Sequence, residues 1–307
     1  MVVWNLFFSS ILLPLIVTAL LWLWPRRPMS GWIAALVLAA GITGFSVLAA
    51  PWGWFGIPSR FLLAALFVAA LIASIRKPLP LPEDLRQASM VGVMVRVLIG
   101  FLFGGVALGV LRAHSVPPGA IDLHFPLKDG AYLIGHGGSH PAANHHAAHP
   151  AQRYALDIMK LNAAGTRARG IYPADVTRYA IFGAEVLSPC NGTVVSALDG
   201  LPDNRPGVMD QKNLAGNHVV VRCGDVNVFL AHLRRGSVAV RPTQGVVAGQ
   251  RLGMVGNSGN TSEPHLHIHA ERAGAGVPAR FDGRWLVRNA IVRREGALMA
   301  LMWHARC

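Results

Sequence analysis

The sequence predicts two parts of different fold class: an N-terminal α-helical transmembrane region of about four spans, and a C-terminal all-β domain whose antiparallel sheet forms a barrel or sandwich. Hydrophobic residues make up 52% of the 307 residues and charged residues only 14%, which is unusual for a soluble protein. The apolar residues are concentrated at the front, whereas all 13 histidines lie from His114 onward. We therefore expect a multi-span region over residues 1–113 and a second domain over residues 114–307.

Four apolar runs predict the transmembrane region. A helix needs roughly 20 apolar residues to cross a bilayer, and residues 2–24, 31–50 and 89–111 meet this length. The run at 61–75 is short, so we expect it to take residues from the preceding "WGWFGIPS"; a re-entrant third segment is the alternative. No basic residue precedes the first run and no small-residue cleavage site follows it, so we interpret it as a span rather than a cleaved signal peptide.

Basic residues in the short connections predict the orientation. Arg26 and Arg27 follow the first run, and Arg76, Lys77 and Arg86 follow the third. The positive-inside rule places both connections in the cytoplasm, and four spans then place the C-terminal domain outside. We therefore expect a multi-pass protein of the cytoplasmic membrane with an extracytoplasmic C-terminal domain, on the periplasmic or cell-wall side. If one run does not cross, this domain is cytoplasmic instead.

The charge distribution restricts the partners. The formal net charge is +13, of which +6 comes from the first 113 residues, with eight basic and two acidic side chains, and +7 from the remainder. A basic excess near a membrane suits anionic lipid headgroups or an anionic envelope polymer. The basic residues are scattered, without zinc-finger spacing or an aromatic stacking motif, which argues against nucleic acid. The lipid bilayer is the expected partner. One span would be enough to tether the domain, so four spans suggest that the region also binds a membrane protein, whose identity is unknown.

From residue 180 onward the sequence is typical of antiparallel strands joined by tight turns. Short Val-rich runs such as "NHVVVRCGDVNVFLAHL" are bounded by Asn-Gly, Cys-Gly-Asp and Pro/Gly pairs, which is the pattern of β-strands and hairpins. No amphipathic helical period of useful length interrupts them. Residues 161–183 and 199–216 are longer, less regular insertions, and loops of that size often contact a substrate.

Three cysteines are present: Cys190, Cys223 and Cys307. Without a CxxC motif, a thiolate zinc site or a redox dithiol is not expected. In an oxidising compartment Cys190 and Cys223 could form a disulfide across neighbouring strands. Two buried free thiols agree equally well with the sequence.

The histidine pattern indicates a metal site. In "NTSEPHLHIHAE", His265, His267 and His269 occupy every second position, so in an extended segment all three side chains would point to one face. A zinc site that performs hydrolysis needs three protein ligands and one open position for water.

Further candidate ligands lie upstream, in "GGSHPAANHHAAHPAQRYALDIMK". Four histidines precede the carboxylate of Asp157 there: His140, His145, His146 and His149. Imidazole and carboxylate are both suitable zinc ligands, and a mixed set leaves the ion able to acidify its water.

These segments resemble the lysostaphin-type, or LytM-like, zinc endopeptidases of bacterial cell-wall peptides. That family has a His-Leu in one strand, a turn rich in Gly, Asn, Ser and Thr, and then His-Leu-His, as in "LAHLRRGSVAV" and "GVVAGQRLGMVGNSGNTSEPHLHIHAE". The strands "SPCNGTVV" and "GNHVVVRCG" also fit. The similarity covers roughly residues 130–275.

The resemblance implies roles for individual residues. His267, the second histidine of "HLH", corresponds to a metal ligand, and Asp157 corresponds to the carboxylate ligand. His265 and His232 correspond to the two histidines that contact the water or the developing oxyanion. The family requires nothing at His269, which we expect to be structural or peripheral.

One departure concerns the upstream histidine. The common family pattern has three residues between this ligand and the aspartate, and Arg153 occupies the corresponding position here. Members with "NHH" or "NYH", a longer insert and "QRYALD" are more similar to this chain. On their pattern His146, eleven positions before Asp157, is the ligand and His145 is the alternative. His140 and His149 are expected to be solvated or to face the substrate.

The resemblance thus implies a membrane-anchored zinc metalloendopeptidase that hydrolyses peptide bonds of peptidoglycan cross-links or stems. Zn²⁺ held by His146, Asp157 and His267 would activate a water, which His232 and His265 would orient. One alternative is a non-catalytic relative that binds the wall or regulates another hydrolase, and another is an endopeptidase that acts on a protein. A candidate at every ligand and catalytic position favours the enzyme.

Overall fold

A computed structural model describes residues 2–23, 28–77 and 89–294 of the protein. The chain divides into two compact units, Met1–Leu111 and Arg112–Cys307. Some residues used in the sequence analysis lie outside the described ones: Arg26, Arg27, Arg86 and Cys307.

Helices dominate the described part of the N-terminal unit. They are α1 (Val2–Phe7), which continues through a π-helical turn (Phe8–Leu12) into α2 (Leu13–Leu23), then α3 (Met29–Ala49), α4 (Trp52–Phe55), α5 (Ile57–Arg76) and α6 (Met90–Arg112). Among the described residues, four helical stretches are long and apolar enough to cross a membrane, and they begin at Val3, Met29, Ile57 and Met90. This confirms the expectation of four long apolar helices. The third takes Ile57–Arg60 from the preceding segment, as its short apolar run required.

The composition of these helices suits a lipid environment. On α6 the side chains of Leu98 and Phe101 are largely exposed, which is unfavourable in water but not in hydrocarbon. Glycines allow α3 and α6 to approach closely: a Cβ on Gly41 would lie 2.1 Å from the carbonyl oxygen of Gly100. Small residues at such contacts are characteristic of helices that pack in membranes. Membrane anchoring is consistent with these features.

Strands form the C-terminal unit. Between residues 112 and 294 they are β1 (Ile121–Leu123), β2 (Gly130–His136), β3 (Leu156–Leu161), β4 (Glu185–Leu187), β5 (Gly192–Leu198), β6 (Asn217–Cys223), β7 (Val226–Leu233), β8 (Gly245–Val246), β9 (Arg251–Met254), β10 (Leu266–Arg272), β11 (Ala275–Val277), β12 (Ala279–Phe281) and β13 (Ile291–Arg294). Short 3₁₀ turns cover His145–Ala148 and Val176–Arg178.

One large sheet organises this unit. In the described part of the chain it has nine strands, in the order β13-β2-β3-β10-β7-β6-β5-β8 with β11 added to β10, and all of its pairings are antiparallel. Two smaller sheets pair β1 with β12 in parallel and β4 with β9 antiparallel. The predicted antiparallel β domain is therefore confirmed.

The alternation of side chains separates the core from the opposite face of the sheet. On β10, Leu266, Ile268 and Ala270 belong to the hydrophobic core. Successive side chains of a strand point to opposite faces, so His267 and His269 point away from that core. The period-2 pattern of "HLHIHA" thus decides both the packing of β10 and the face on which the histidines meet.

A disulfide closes one end of the β5–β6 pair. The structure joins Cys190, in the turn before β5, to Cys223 at the end of β6, with their Cα atoms 5.9 Å apart. β5 and β6 are neighbouring strands in which Thr193 is aligned with Arg222. The bridge lies in the hairpin region that the sequence analysis considered for these two cysteines.

Candidate metal centre

Three neighbouring strands carry most of the candidate site. β10 lies between β3 and β7, and His267 is aligned with Asp157 of β3 on one side and Ala231 of β7 on the other. His232 follows Ala231 directly and has a positive φ of 62°. A non-glycine residue rarely adopts this left-handed conformation, and such strain is often found at functional sites.

The upstream histidine comes from a short turn that one asparagine stabilises. The Asn144 side chain accepts a hydrogen bond from the backbone N–H of His146 at 3.2 Å, and its amide donates to the carbonyls of Gly138 and Ala155 at 3.1 and 3.0 Å. Asn144 is completely buried. Because Ala155 immediately precedes β3, these bonds fix the turn of His146 to the strand that carries Asp157.

Asp157 is at the centre of the group. Its Oδ1 and Oδ2 atoms both lie 3.0 Å from His146 Nε2, and Oδ1 lies 3.0 Å from His267 Nδ1. All three side chains are buried, and their candidate ligand atoms lie within 4.8 Å of one another. Two imidazole nitrogens and one carboxylate oxygen are a donor set that zinc accepts at hydrolytic sites. The chemistry of the three residues therefore fits a zinc ion.

Two further histidines border this group on the β7 side. His232 Nδ1 lies 2.9 Å from the carbonyl oxygen of Ser258, and His265 Nδ1 lies 2.8 Å from the carbonyl oxygen of Glu263. A carbonyl only accepts hydrogen bonds, so in the neutral rings each Nδ1 carries the proton and each Nε2 keeps its lone pair. The ring centroids of His232 and His265 are 4.9 Å apart. The ring planes are tilted by 58° to each other, and His265 Nε2 lies 3.5 Å from Asp157 Oδ1.

Burial and the central carboxylate set the protonation states. Burial alone would raise the pKa of Asp157, but the adjacent His146 and His265 outweigh it and hold that pKa well below its usual value. Burial lowers the pKa of His232 well below its usual value and also lowers the pKa of His267. For His265 burial acts in the same direction, but the charge and hydrogen bond of Asp157 raise the pKa. An ionised carboxylate and a neutral His232 follow.

His145 has different neighbours from His146. Its side chain is exposed, and its ring centroid lies 4.2 Å from that of His136 in an edge-to-face arrangement. A ring nitrogen of His145 still lies within 4.8 Å of atoms of His136 and Asp157. The structure therefore brings His146 into hydrogen-bond distance of Asp157 and leaves His145 at the margin, on the side of His136.

The remaining predicted histidines are placed as follows. His140 Nδ1 accepts a hydrogen bond from the N–H of Ala142 at 3.1 Å within a turn, and His149 is exposed. His269 is buried, with its Nδ1 atom 3.0 Å from His267 Nε2. Burial lowers the pKa of His269 to about 3, so this ring is neutral at pH 7. His269 thus lies in the protein interior, in direct contact with His267.

Two residues beside the site were not predicted from the sequence. His136, at the end of β2, is one, and Arg288 is the other; its Nη1 atom donates to the carbonyl of Gly135 at 2.7 Å and lies 3.2 Å from His136 Nδ1. A β-bulge between Ile134 and His136 places this histidine beside Asp157. Neither residue belongs to a short spacing motif, so the sequence contained no signal for them.

The insertion at 161–183 contacts the segment that precedes His265. Arg167 and Glu263 form a buried ion pair in which Arg167 Nε lies 2.8 Å from both carboxylate oxygens and Nη2 lies 2.6 Å from Oε2. Tyr172 donates a hydrogen bond from its hydroxyl to the carbonyl of Ser262 at 3.0 Å. The backbone of Glu263 also accepts the hydrogen bond of His265, so the insertion is linked to that histidine through one residue.

This chain is similar in sequence to a known protein. One relative, the peptidoglycan DD-endopeptidase ShyA of Vibrio cholerae serotype O1, is 26% identical over 209 residues, which are 67% of this chain and 45% of that protein. The chain thus matches less than half the length of this curated relative.

Two solved structures are similar at lower identity. The M23 metalloprotease pseudoalterin from the deep sea has 13% identity and a TM-score of 0.35, covering 57% of this chain and 99% of that one. A zinc-containing peptidase from Vibrio cholerae has 20% identity and a TM-score of 0.25, covering 40% and 48%. Both TM-scores are below 0.5.

A family model also matches this chain. The model described as Peptidase family M23 matches residues 176–278. This stretch contains His232, His265 and His267, while His146 and Asp157 lie before it and join them through the pairing of β3 with β10. The match confirms the family resemblance inferred from the sequence: residues 176–278 of the C-terminal unit match Peptidase family M23.

Proposed function

We propose that this protein is a membrane-anchored zinc metalloendopeptidase that hydrolyses peptide bonds in the cross-links or stems of peptidoglycan. The observation that carries the proposal is the convergence of His146, Asp157 and His267, next to His232 and His265, on the face of an M23 domain. The 26% identity to a peptidoglycan DD-endopeptidase supports the class of substrate.

His146, Asp157 and His267 would hold the zinc ion. When bound, zinc polarises a scissile carbonyl and lowers the pKa of a water from about 15.7 towards about 7. The protein contributes a fixed and ionised ligand set: the low pKa of Asp157 keeps it a carboxylate, and the low pKa of His267 keeps a ring nitrogen unprotonated. Pairing of β3 with β10 keeps these two ligands together.

His232 and His265 would act on the attacking water and on the developing oxyanion. Backbone carbonyls hold Nδ1 of each ring, so proton exchange would take place at Nε2, which in His265 lies 3.5 Å from Asp157 Oδ1. His232 has the lower pKa and suits acceptance of a proton from water. His265, whose pKa is raised by Asp157, suits donation to the oxyanion or to the leaving amine.

The location follows from the same proposal. Peptidoglycan lies outside the cytoplasmic membrane, and the basic residues in the first and third connections support an orientation with residues 114–307 on that side. We propose that residues 1–113 anchor the domain there. Four apolar helices support the anchoring, while the sidedness depends on the basic connections.

The decisive experiment measures zinc stoichiometry together with chelator-sensitive release of peptides from purified peptidoglycan, using the full-length protein in detergent. We expect one zinc per chain and release of peptides that stops on chelation; His267→Ala should lose both. Product masses would identify the bond. A folded protein that binds no zinc and releases nothing would instead support a wall-binding or regulatory relative, and zinc-dependent cleavage of proteins but not of peptidoglycan would support a protein substrate.

A further inference from the structure

His269 contacts the candidate zinc ligand His267 directly. It lies two residues further along β10 on the same face, and its Nδ1 atom is 3.0 Å from His267 Nε2. Only 8% of the residue is exposed. The contact therefore lies inside the protein, where few waters compete for the hydrogen bond.

The direction of this hydrogen bond follows from the other side of the His267 ring. His267 Nδ1 lies 3.0 Å from Asp157 Oδ1, which makes it the nitrogen directed at the candidate metal group. A ring nitrogen binds a metal through its lone pair, so the proton of a neutral His267 must then reside on Nε2. Nε2–H is a donor, and His269 Nδ1 is the acceptor.

Phe229 of β7 fixes the plane of the acceptor ring. It is the cross-strand partner of His269, and the two rings stack with centroids 4.6 Å apart and an angle of 6° between their planes. The stacking holds the His269 ring, which in turn sets the direction in which Nδ1 offers its lone pair.

We propose that His269 is a positioning residue that accepts the Nε2 proton of His267 and thereby fixes the tautomer and ring orientation in which His267 binds zinc. The inference rests on the proposed function, because it concerns the same metal site. Histidines that ligate metals usually donate their second N–H to a carboxylate, a carbonyl or a water. Here a second, neutral imidazole fills that place.

Two substitutions separate the acceptor from the ring. His269→Phe keeps an aromatic ring for stacking on Phe229 but removes the acceptor. His269→Asn removes the ring but keeps an acceptor oxygen at the position that Nδ1 occupies along the side chain. The full-length protein and both variants would be purified in detergent, and zinc affinity would be measured by competition with a chelating dye.

We expect His269→Phe to weaken zinc binding by about 10- to 100-fold, the usual effect of losing such a partner, and His269→Asn to restore most of the affinity. Absorption spectra of the cobalt-loaded proteins provide a second readout, since a reoriented His267 changes the ligand field; wild type and His269→Asn should agree and His269→Phe should differ.

Three results would overturn the inference. Equal zinc affinity and equal cobalt spectra in wild type and His269→Phe would show that the acceptor is not needed. Weak binding by His269→Asn as well as His269→Phe would assign the effect to packing of the histidine ring. A folded wild-type protein without any zinc affinity would overturn the proposed function itself, which distinguishes that failure from the first two.

Discussion

At the scale of single residues, the site depends on which nitrogen of each histidine faces the centre. Backbone carbonyls of Ser258 and Glu263 fix Nδ1 of His232 and His265. His267 is arranged in the opposite sense, with Nδ1 towards Asp157. Three rings with similar chemistry thus acquire different roles from their hydrogen-bond partners.

The neighbouring residues His145 and His146 provide a direct test of the ligand set. We expect His146→Ala to lose stoichiometric zinc and peptide release, because its Nε2 atom is the one beside Asp157. His145→Ala should retain most of both, since its ring is exposed and lies towards His136. Metal analysis of the two purified variants measures this, and the reverse pattern would move the ligand by one position.

The buried His269 predicts how the metal-free protein responds to acid. Its pKa in the folded protein is about 3, below the value of about 6.5 for an unfolded chain. The stabilising effect of the neutral ring is therefore complete above pH 6.5 and is lost as the pH falls towards 3. Between pH 6 and 4 we expect the wild-type free energy of unfolding to fall by about 1.4 kcal/mol per pH unit more steeply than that of His269→Asn.

Hydrogen exchange of the β7 and β10 amides in chelator-treated protein measures this difference in the free energy of unfolding. Wild type and His269→Asn are compared at the same pH, so the intrinsic exchange rate, which depends on pH, is the same for both. The histidines other than His267 and His146, which interact with His269, are common to both proteins and cancel. Parallel curves for wild type and His269→Asn would contradict the prediction.

At the scale of elements, the insertions and turns determine where the histidines of the strands point. The insertion at 161–183 reaches His265 through the buried pair of Arg167 and Glu263. The turn between β9 and β10 reaches His232 through the carbonyl of Ser258. Both contacts join residues that are far apart in the sequence, so each depends on the pairing of the strands that lie between them.

Arg167→Met should uncouple the insertion from His265. Removing one member of a buried ion pair leaves an uncompensated charge on Glu263 and costs about 3–5 kcal/mol of stability, whereas replacing both members is often close to neutral. We therefore expect a lower melting temperature and a lower kcat for Arg167→Met, with recovery of the melting temperature in the Arg167→Met/Glu263→Met double variant. The exposed Arg169, changed to Met, is the matched control; an effect as large there would refute the role of the pair.

Two glycines with nearly equal φ values test whether the position of Ser258, in the turn between β9 and β10, matters for activity. Gly216 (φ 59°) has no room for a side chain, since a Cβ would lie 2.2 Å from the carbonyl oxygen of Ser258, the partner of His232. Gly224 (φ 62°) has open space around it. Both alanine variants bear a conformational penalty of about 1–2 kcal/mol, but only Gly216→Ala displaces Ser258. We expect activity to fall sharply in Gly216→Ala and to remain near wild type in Gly224→Ala, as measured by peptide release.

At the scale of the whole molecule, the two units differ in composition. The N-terminal unit carries the apolar helices, and the C-terminal unit carries all the histidines together with the disulfide. A bond between Cys190 and Cys223 is stable in an oxidising compartment, which agrees with the proposed extracytoplasmic location. The proposed substrate lies on the same side of the membrane.

The orientation can be tested on intact cells without their outer layers. We expect a protease added from outside to digest residues 114–307 and to leave a membrane-protected fragment of the four helices. A cytoplasmic protein serves as the control for cell integrity. Full protection of the C-terminal unit until the membrane is opened would place it in the cytoplasm and would contradict the predicted orientation.

Local patterns in the sequence predicted the fold and much of the site. The apolar runs predicted four long helices, and the Val-rich alternation predicted an antiparallel sheet. The "HLHIH" spacing predicted that His265, His267 and His269 share a face. These predictions succeed because helix and strand periodicity are properties of a few consecutive residues, which the sequence displays directly.

Tertiary structure decided the rest. The sequence by itself determined that this chain has an apolar helical part, a β domain and a set of histidines with one aspartate that resembles the site of the lysostaphin-type endopeptidases. Only the folded chain brought His136 and Arg288 beside Asp157, joined Arg167 to Glu263 and made His269 the partner of His267. The physical reason is that such contacts depend on strand register, turn geometry and ring orientation, which arise from packing between residues distant in sequence.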